Sequence, residues 1–167
     1  MHTNQKLIED FYSRFAARDA GGMTSCYAED VEFTDPVFTL RGREVGAMWD
    51  MLCKAGKDLV ITVSDVHADA THGQARWEAC YTFTATGRRV HNRVIATFRF
   101  ENGRIRSHRD DFSFWRWSAM ALGPVGLVLG WSPSLRNRVR RTARHGLEKF
   151  IAAHPQYRHP QAMPGAF

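Results

Sequence analysis

A histidine and a carboxylate lie two residues apart near the end of a predicted strand, at His108 and Asp110. Alternate side chains of a strand point to the same face, so both groups, together with Phe112, are expected on one face. Imidazole and carboxylate groups accept and release protons near neutral pH when their surroundings adjust them. This strand end is therefore the first candidate for acid/base chemistry.

Three further polar residues are candidates for the same chemistry. Asp35 precedes Pro36, and Arg76 and Glu78 share one face of another predicted strand. Each has a structural alternative, because Asp-Pro commonly closes a turn and an arginine beside a glutamate commonly forms an ion pair. The histidine and aspartate of the first strand have the same alternative, as ion-pair partners of neighbouring arginines.

No metal or cofactor site is predicted. His108, Asp110 and His91 carry suitable ligand atoms, but two of them lie on one strand and the spacing implies no third ligand. The cysteines are far apart and form no Cys-x-x-Cys pair, so they are expected to be buried apolar residues rather than ligands or nucleophiles. They are Cys26, Cys53 and Cys80.

The segment from Gly87 to Trp115 is predicted to form the β-hairpin that carries the His-x-Asp pair. Apolar and polar residues alternate through residues 89–100, which indicates a strand. Glu101-Asn102-Gly103 then forms the turn, because Asn-Gly favours the backbone conformation of tight hairpins. Residues 104–112 return as the partner strand and bring the pair to its end.

Hydrophobic periodicity places most of the predicted helices before the run of strands and the remainder after it. The predicted helices are 4–18, capped by Asn4, and 22–27, 43–56, 114–122 and 134–153. The predicted strands are 31–35, 59–68, 74–86, 89–100 and 104–112. This order predicts an α+β fold in which a curved mixed or antiparallel sheet wraps around the N-terminal helices, leaves a pocket between sheet and helices, and is followed by extra C-terminal helices. The apolar run 122–131 is too short to cross a bilayer and is expected to be buried or interfacial.

Composition points to one globular domain. The 167 residues are 44% apolar and 24% charged, which excludes a disordered protein. The net charge of +6 is concentrated in the helix at 134–153, so no nucleic-acid partner is predicted. Association of that helix with an anionic surface is a separate hypothesis. No signal peptide or transmembrane segment is expected, and the odd number of cysteines predicts a cytoplasmic location.

Several motifs carry a family resemblance. They are Phe11-Tyr12, Tyr27 to Val37, Thr97 to Phe100, Gly103 to Ile105, and His108 to Asp110. Together they resemble the nuclear transport factor 2-like superfamily, which contains ketosteroid isomerases, limonene epoxide hydrolases and SnoaL-like polyketide cyclases. The resemblance covers about Lys6 to Phe114 and implies a cone-shaped fold with an internal pocket. The segment from His108 to Leu147 resembles bacterial members of this superfamily that have no known activity.

The resemblance implies roles for single residues. Asp35 resembles the catalytic aspartate of ketosteroid isomerases. The positions of that family's oxyanion tyrosine and protonated aspartate hold Phe11 and Ala96, which have no hydroxyl or carboxyl group. His108 and Asp110 resemble the His-x-Asp strand end of SnoaL-like proteins, where such residues act as general acid and base.

The epoxide hydrolases offer a second set of correspondences. Arg76 and Glu78 resemble their Arg-x-Asp element, with Asp110 as the last aspartate. The positions of their water-holding tyrosine and asparagine hold Phe33 and Asp35. The residues expected to line the pocket of the cone are Phe11, Phe33, Trp49, Ala96 and Phe112.

The expected organisation is an NTF2-like (SnoaL-like) domain at 1–117, a helical extension of the same domain at 118–153, and a loosely ordered tail at 154–167. The expected function is proton transfer on a small, mainly apolar substrate, as isomerisation, cyclisation or epoxide hydration. The alternative is a non-catalytic ligand-binding or protein-interaction module with the same fold. A homodimer is expected through the outer face of the sheet, where apolar area would come from Trp77, Tyr81 and Phe83.

Overall fold

The computed structural model describes residues 2–158, in which helices cover one face of a six-stranded sheet. The strands are β1 (Tyr27–Thr34), β2 (Thr39–Arg41), β3 (Val60–Ala68), β4 (His72–Phe83), β5 (Arg88–Glu101) and β6 (Arg104–Asp111). The helices are α1 (Thr3–Ala16), α2 (Ala20–Ser25), α3 (Arg43–Ala55), α4 (Phe114–Leu122), α5 (Pro124–Leu129) and α6 (Pro133–Ala153), followed by a 3₁₀ turn at Pro155–Tyr157. Met1 and residues 159–167, which include most of the predicted tail, lie outside the described residues.

The sheet has the strand order β2-β1-β6-β5-β4-β3. Neighbouring strands are antiparallel except β1 and β6, which run parallel. Helices α1 and α3 pack on its inner face, against β3, β4 and β1. The predicted α+β class, with a curved mixed sheet wrapped around N-terminal helices and extra C-terminal helices, is confirmed.

The β5–β6 hairpin turns at Asn102 and Gly103, whose φ angles are 51° and 72°. Positive φ at both central positions is what a tight Asn-Gly turn requires, so the predicted hairpin is confirmed. The inner face of β5 is buried at alternate positions, among them Val94, Ala96 and Phe98. The hairpin therefore supplies a continuous apolar wall beside the strand that carries the candidate pair.

The dimer prediction placed the face of β4 that carries Trp77 on the outside of the sheet, but the structure places this face on the inside. Ala75, Trp77 and Ala79 are buried, whereas Arg76 and Glu78 point outward. The alternation along this strand was predicted correctly, but its direction was wrong because Trp77 packs against the rings of α1. The outer face of the sheet therefore lacks the tryptophan on which the dimer prediction depended.

The other two aromatics proposed for a dimer are covered within the chain by α4. Trp117 Nε1 donates to Tyr81 Oη at 2.9 Å, and the Phe83 ring lies 5.5 Å from the Trp117 ring. Phe114 and Val90 complete this second, smaller core. The apolar surface expected for a homodimer is therefore covered within the chain. The homodimer itself stays a prediction.

Helix α6 lies across α3. Leu147 is fully buried, and Arg144 Nη2 donates to Glu44 Oε1 at 2.6 Å. Residues 154–158, predicted to be loosely ordered, also pack on α3, where Tyr157 Oη donates to Asp50 Oδ2 at 3.0 Å. Within residues 2–158, each helix is too short or too polar to cross a membrane.

Asn4 is not the helix cap that its position suggested. Helix α1 begins one residue earlier and is capped by His2, whose Nδ1 accepts the Asn4 backbone N–H at 3.1 Å. The buried Asn4 side chain instead donates to the carbonyl oxygens of Asp69 and Ala70, at 2.9 and 3.1 Å. It thereby joins α1 to the turn between β3 and β4.

Replacing Asn4 with alanine is expected to lower the free energy of unfolding by about 1–3 kcal/mol, because two part-buried carbonyl groups lose their donor. Urea unfolding followed by circular dichroism measures the change. Gln5→Ala is the control, since Gln5 bonds to Glu9 within the same helix. This control should change stability by less than about 0.5 kcal/mol, and an equal loss in both variants would contradict the proposed role of Asn4.

Candidate functional site

His108 lies at the centre of the aromatic core, and its side chain is fully buried. Aromatic rings from α1, β1, α3 and β5 surround it, with centroids 4.4–6.1 Å from the imidazole centroid. These rings belong to Phe11, Tyr27, Phe33, Trp49 and Phe98. A polar ring in such a place needs hydrogen-bond partners on both nitrogens, because burial without them is costly.

A chain of hydrogen bonds supplies those partners. Trp49 Nε1 donates to Tyr27 Oη at 2.9 Å, and Tyr27 Oη lies 2.7 Å from His108 Nδ1. On the other side of the ring, His108 Nε2 lies 3.0 Å from Asp110 Oδ1. Trp77 Nε1 donates to the same Asp110 oxygen at 3.2 Å. The pair predicted from strand spacing is thus part of a buried network that joins α3, β1, β6 and β4.

One protonation pattern satisfies every donor in this chain. Trp49 Nε1 is only a donor, so Tyr27 Oη accepts from it and donates its own proton to His108 Nδ1. The neutral imidazole then carries its proton on Nε2 and donates to Asp110 Oδ1. All the hydrogen bonds therefore point toward the Asp110 carboxylate, which is the accepting end of the network.

Tyr12 carries the buried side-chain oxygen that has no hydrogen-bond partner among residues 2–158. Its ring centroid lies 5.8 Å from that of Trp77 and 6.4 Å from that of Phe98. Burial raises the pKa of Tyr12 well above its usual value, and the charge of Asp110 raises it further. An unsatisfied buried hydroxyl costs about 1–3 kcal/mol, so this group is an unpaired donor inside the core.

Asp35 lies directly after β1, where its Oδ1 accepts the backbone N–H groups of Val37 and Phe38 at 2.7 and 2.6 Å. The carboxyl group therefore closes the turn before β2. Burial raises the pKa of Asp35 to about 6, although these two hydrogen bonds lower it. The charge of Asp110 also raises this pKa and His108 lowers it, so Asp35 lies within electrostatic reach of the buried pair.

The ligand pocket expected inside the cone is filled by its own wall. Phe11, Phe33, Trp49 and Ala96 are at most 1% exposed and pack against one another and the sheet. Phe112 is half-buried and touches both hydrophobic clusters. Aromatic side chains rather than open space therefore surround His108, which corrects the prediction of an apolar cavity there.

An open cleft of about 420 Å³ lies instead beside Asp35. Phe38 and Leu40 contribute apolar lining, and α6 contributes its arginines. Arg140 Nε donates to the Pro36 carbonyl at 2.9 Å, which holds α6 against the turn between β1 and β2. The arginines of the cleft are Arg140, Arg141 and Arg144. Asp35 thus lies between an aromatic interior and a cationic cleft.

A larger groove of about 680 Å³ is lined by β3 to β6 and the turn between β3 and β4. Its polar side chains include His67, His72, Arg99 and Arg109. None of the three candidate acid/base residues borders this groove. We assign the candidate site to the smaller cleft, because a carboxyl group with a shifted pKa beside a cleft is the stronger indication of function.

Arg76 and Glu78 do not join this site. Arg76 pairs with Asp65, and Glu78 pairs with His91 and Arg93 on the outer face of the sheet. The Arg-x-Asp element implied by the epoxide hydrolases is therefore corrected to exposed ion pairs, which contribute little to stability.

Residues 2–158 contain no group of three or more His, Cys, Asp or Glu side chains that could hold a metal ion.

Two members of the buried network, Tyr27 and Trp77, were not predicted as site residues, and neither was the neighbouring Tyr12. Phe11 and Tyr12 are adjacent on α1 and point in different directions, yet both are buried. Phe11 packs against Trp49 of α3, and Tyr12 packs against Trp77 of β4. The signal in the sequence was the pair of neighbouring aromatics itself, since a helix buried on two sides needs apolar residues at successive positions.

A sequence profile of the SnoaL-like domain matches residues 8–108, which is more than half of the chain. The chain belongs to the SnoaL-like domain family. The matched region contains Asp35 and His108 and ends two residues before Asp110, so α4, α5 and α6 lie beyond it. A search of curated proteins gives no match to this SnoaL-like chain.

Solved structures share the fold at low sequence identity. An NTF2-like protein of unknown function from Burkholderia pseudomallei aligns with a TM-score of 0.62 and 19% identity, over 72% of this chain and 98% of that one. A putative polyketide cyclase from Xanthomonas campestris gives 0.60 and 20%, over 71% and 96%. An LEH-like epoxide hydrolase from M. tuberculosis gives 0.59 and 19%, over 76% and 96%. These likenesses confirm the predicted fold.

Proposed function

We propose that this SnoaL-like chain is an enzyme that moves a proton on a small, mainly apolar molecule, by isomerisation, cyclisation or epoxide hydration. The supporting observation is the position of Asp35, between the open cleft and the buried chain of Tyr27, His108 and Asp110. General acid/base catalysis needs a carboxyl group in partly apolar surroundings with a second proton-carrying group nearby. Both are present at this position.

In this proposal Asp35 is the general base. With a pKa of about 6 it is ionised at neutral pH but is more basic than an ordinary carboxylate. It accepts a proton from a substrate carbon or from an attacking water. The hydrogen bonds from Val37 and Phe38 occupy Oδ1, so Oδ2 is the oxygen offered for this step.

Asp110 is the second acid/base group, and His108 is its hydrogen-bond partner. A proton that Asp110 takes up is released again from Asp110 itself, because Tyr27 donates to His108 Nδ1 and accepts from Trp49 Nε1, which can only donate. The Tyr12 hydroxyl lies inside the filled core and does not line the cleft, so it has no role in substrate binding in this proposal.

The cleft supports a substrate with an apolar body and one oxygen-bearing end. Phe38 and Leu40 offer apolar contact. The guanidinium groups of α6 stabilise negative charge that develops on a substrate oxygen when Asp35 removes a proton. These arginines lie outside the matched family region, so they are a feature of this chain that the family profile does not describe.

A non-catalytic ligand-binding or protein-interaction module is the second candidate. It is favoured by the filled interior, in which the aromatic wall keeps a ligand in the cleft and away from His108. In that case Asp35 and Asp110 are structural groups, one in a turn and one in the core network. Homodimerisation and a cytoplasmic location also remain predictions.

The test is a thermal-shift screen of steroids, terpene epoxides and polyketide fragments, followed by turnover assays of every compound that stabilises the chain. Asp35→Asn and Asp110→Asn are expected to bind the same compound and lower kcat by about 10²–10⁴-fold, because each removes a group that carries a proton. The rate of the wild type should rise with pH through about 6, the pKa of Asp35.

Asp111→Asn is the matched control, because Asp111 is exposed on the next position of β6. It should leave kcat within about twofold of the wild type. A compound that binds all four proteins and is turned over by none would move the binding module ahead of catalysis. Turnover that survives both Asp35→Asn and Asp110→Asn would contradict the proposed mechanism.

A further inference from the structure

An exposed apolar patch lies on α5 and its flanks, outside the matched family region. Of ten exposed large hydrophobic residues among residues 2–158, six lie between positions 115 and 131. We call these six the α5 patch, and they are Trp115, Val125, Leu127, Val128, Leu129 and Trp131. Trp131 is 74% exposed and Val128 is 63% exposed. Contiguous exposed apolar side chains of this size mark an interaction surface in soluble folds.

Tight packing of α5 on α4 orients these side chains outward. Gly126 is the buried residue of α5, and a Cβ atom at this position would lie 1.8 Å from the Ser118 carbonyl oxygen. Trp115 Nε1 donates to the Leu127 carbonyl at 3.0 Å, and Ser118 Oγ donates to the Gly126 carbonyl at 3.2 Å. Helix α5 thus turns its glycine inward and its large apolar residues outward, the reverse of an ordinary surface helix.

The charged residues near the patch in the sequence, apart from histidine, have one sign. No Asp or Glu occurs between Phe112 and Leu147, whereas six arginines do. They are Arg116, Arg136, Arg138, Arg140, Arg141 and Arg144. In the part of the chain that the structure describes, ion pairs are formed by Arg144 but not by the other five. The cationic helix α6 begins two residues after Trp131.

This combination fits one kind of partner. Apolar side chains with tryptophan, bordered by arginines, match a bilayer surface, where acyl chains take up the apolar groups and anionic headgroups attract the cations. A second copy of the chain fits less well, because a symmetric contact through the α5 patch would bring the same cations together, and the segment between Phe112 and Leu147 has no carboxylate to pair with them. The helices of residues 2–158 are too short or too polar to span the bilayer, so contact would be peripheral.

We propose that the α5 patch and the arginines beside it dock this chain on the surface of a membrane that contains anionic lipid. The apolar side chains of α5 enter the boundary between headgroups and acyl chains, with Trp115 and Trp131 at the level of the headgroups. Arg116 and the first turns of α6, with Arg136 and Arg138, contact the headgroup charges. This inference does not depend on the proposed catalytic activity.

Flotation of the full chain with lipid vesicles tests the proposal. Vesicles of phosphatidylcholine alone are compared with vesicles that also contain about 30% phosphatidylserine, at about 0.1 M salt. We expect binding to the anionic vesicles to be at least about tenfold tighter, and to weaken when the salt concentration rises to about 0.5 M. Equal partition into both kinds of vesicle, or no flotation with either, would overturn the proposal.

The matched variants are Val128→Glu and Val60→Glu, because Val128 and Val60 are 63% and 58% exposed and lie on different elements, α5 and β3. Val128→Glu should weaken vesicle binding by at least about tenfold, and Val60→Glu should leave it within about twofold. Val128→Ser removes the apolar contact without adding charge and should weaken binding in the same direction. Equal binding by both glutamate variants would overturn the role of α5. The proposal would also be overturned if light scattering showed a wild-type dimer that Val128→Glu converts to a monomer, and if the wild type did not bind vesicles.

Discussion

Replacing Asp110 with alanine is expected to lower the free energy of unfolding by about 3–5 kcal/mol, the largest single effect predicted for this chain. Asp110 Oδ1 accepts both His108 Nε2 and Trp77 Nε1, and Asp110 is only 3% exposed. Alanine would leave two buried donors without an acceptor and would open space between β4 and β6. Urea unfolding, followed by circular dichroism and by tryptophan fluorescence, measures the loss.

Two matched variants separate the hydrogen bonds from other effects. Asp110→Asn keeps an oxygen for both donors and should cost less than half as much as Asp110→Ala. Asp111→Asn, on the exposed side of the same strand, should change the free energy of unfolding by less than about 0.5 kcal/mol. If alanine and asparagine at position 110 are equally destabilising, the accepting role of Oδ1 is wrong.

Asp35→Asn is expected to stabilise the chain at neutral pH. The pKa of Asp35 is about 6 in the folded state, against about 3.9 in an unfolded chain. Between these values the folded state holds a proton that the unfolded state has released, so stability falls as pH rises from about 4 to about 6. Above about pH 6 the loss is complete. Its size is on the order of 1–3 kcal/mol, reduced from the full shift because the cleft is open to solvent.

Asparagine can still accept the N–H groups of Val37 and Phe38 but carries no charge. The stability of Asp35→Asn relative to the wild type should therefore increase from about zero at pH 4 to about 1–3 kcal/mol at pH 7. Thermal unfolding midpoints measured over this pH range give the difference. Parallel curves for the two proteins, as expected for the Asp111→Asn control, would show that Asp35 is not buried enough to be perturbed.

The effect of Asp35→Asn on stability also bears on function. An ionised carboxyl group that destabilises the folded state at neutral pH is retained at active sites, where its basicity is used. If Asp35→Asn gains stability and loses turnover, the carboxyl is there for chemistry rather than for the turn. If Asp35→Asn gains stability and keeps its turnover, the carboxyl group is not needed for catalysis, and its role is limited to the hydrogen bonds that close the turn.

The β5–β6 hairpin, and the His108 and Asp110 pair that it carries, can be predicted from local sequence patterns. Alternation through residues 89–100 and the Asn-Gly pair determine β5, its turn and the returning strand, because φ is positive at both Asn102 and Gly103. Strand period two is equally local, so the common burial of His108 and Asp110 was predictable. Helix α4 occupies the predicted residues 114–122, since Gly123 and Pro124 end it in the sequence itself.

Local patterns do not show which face of a strand points toward the core. In β4 one parity holds Trp77 and Ala79 and the other holds Arg76 and Glu78, and either face can be turned inward by packing elsewhere. The rings of Tyr12 and Phe15 on α1 decide it, because they take up Trp77. The same reversal removed the expected dimer surface and the expected Arg-Glu pair from the site.

What the sequence by itself determined is the list of elements, the superfamily resemblance, and the acid/base residues Asp35, His108 and Asp110 as candidates. What only the tertiary structure decided is which groups they meet. Tyr27 and His108 are 81 residues apart and form one hydrogen bond. The pKa of Asp35 depends on its burial beside a cleft lined by β2 and α6, and α5 turns outward because Gly126 packs on Ser118. Periodicity reports the spacing along one element, whereas contacts between distant elements depend on how they pack.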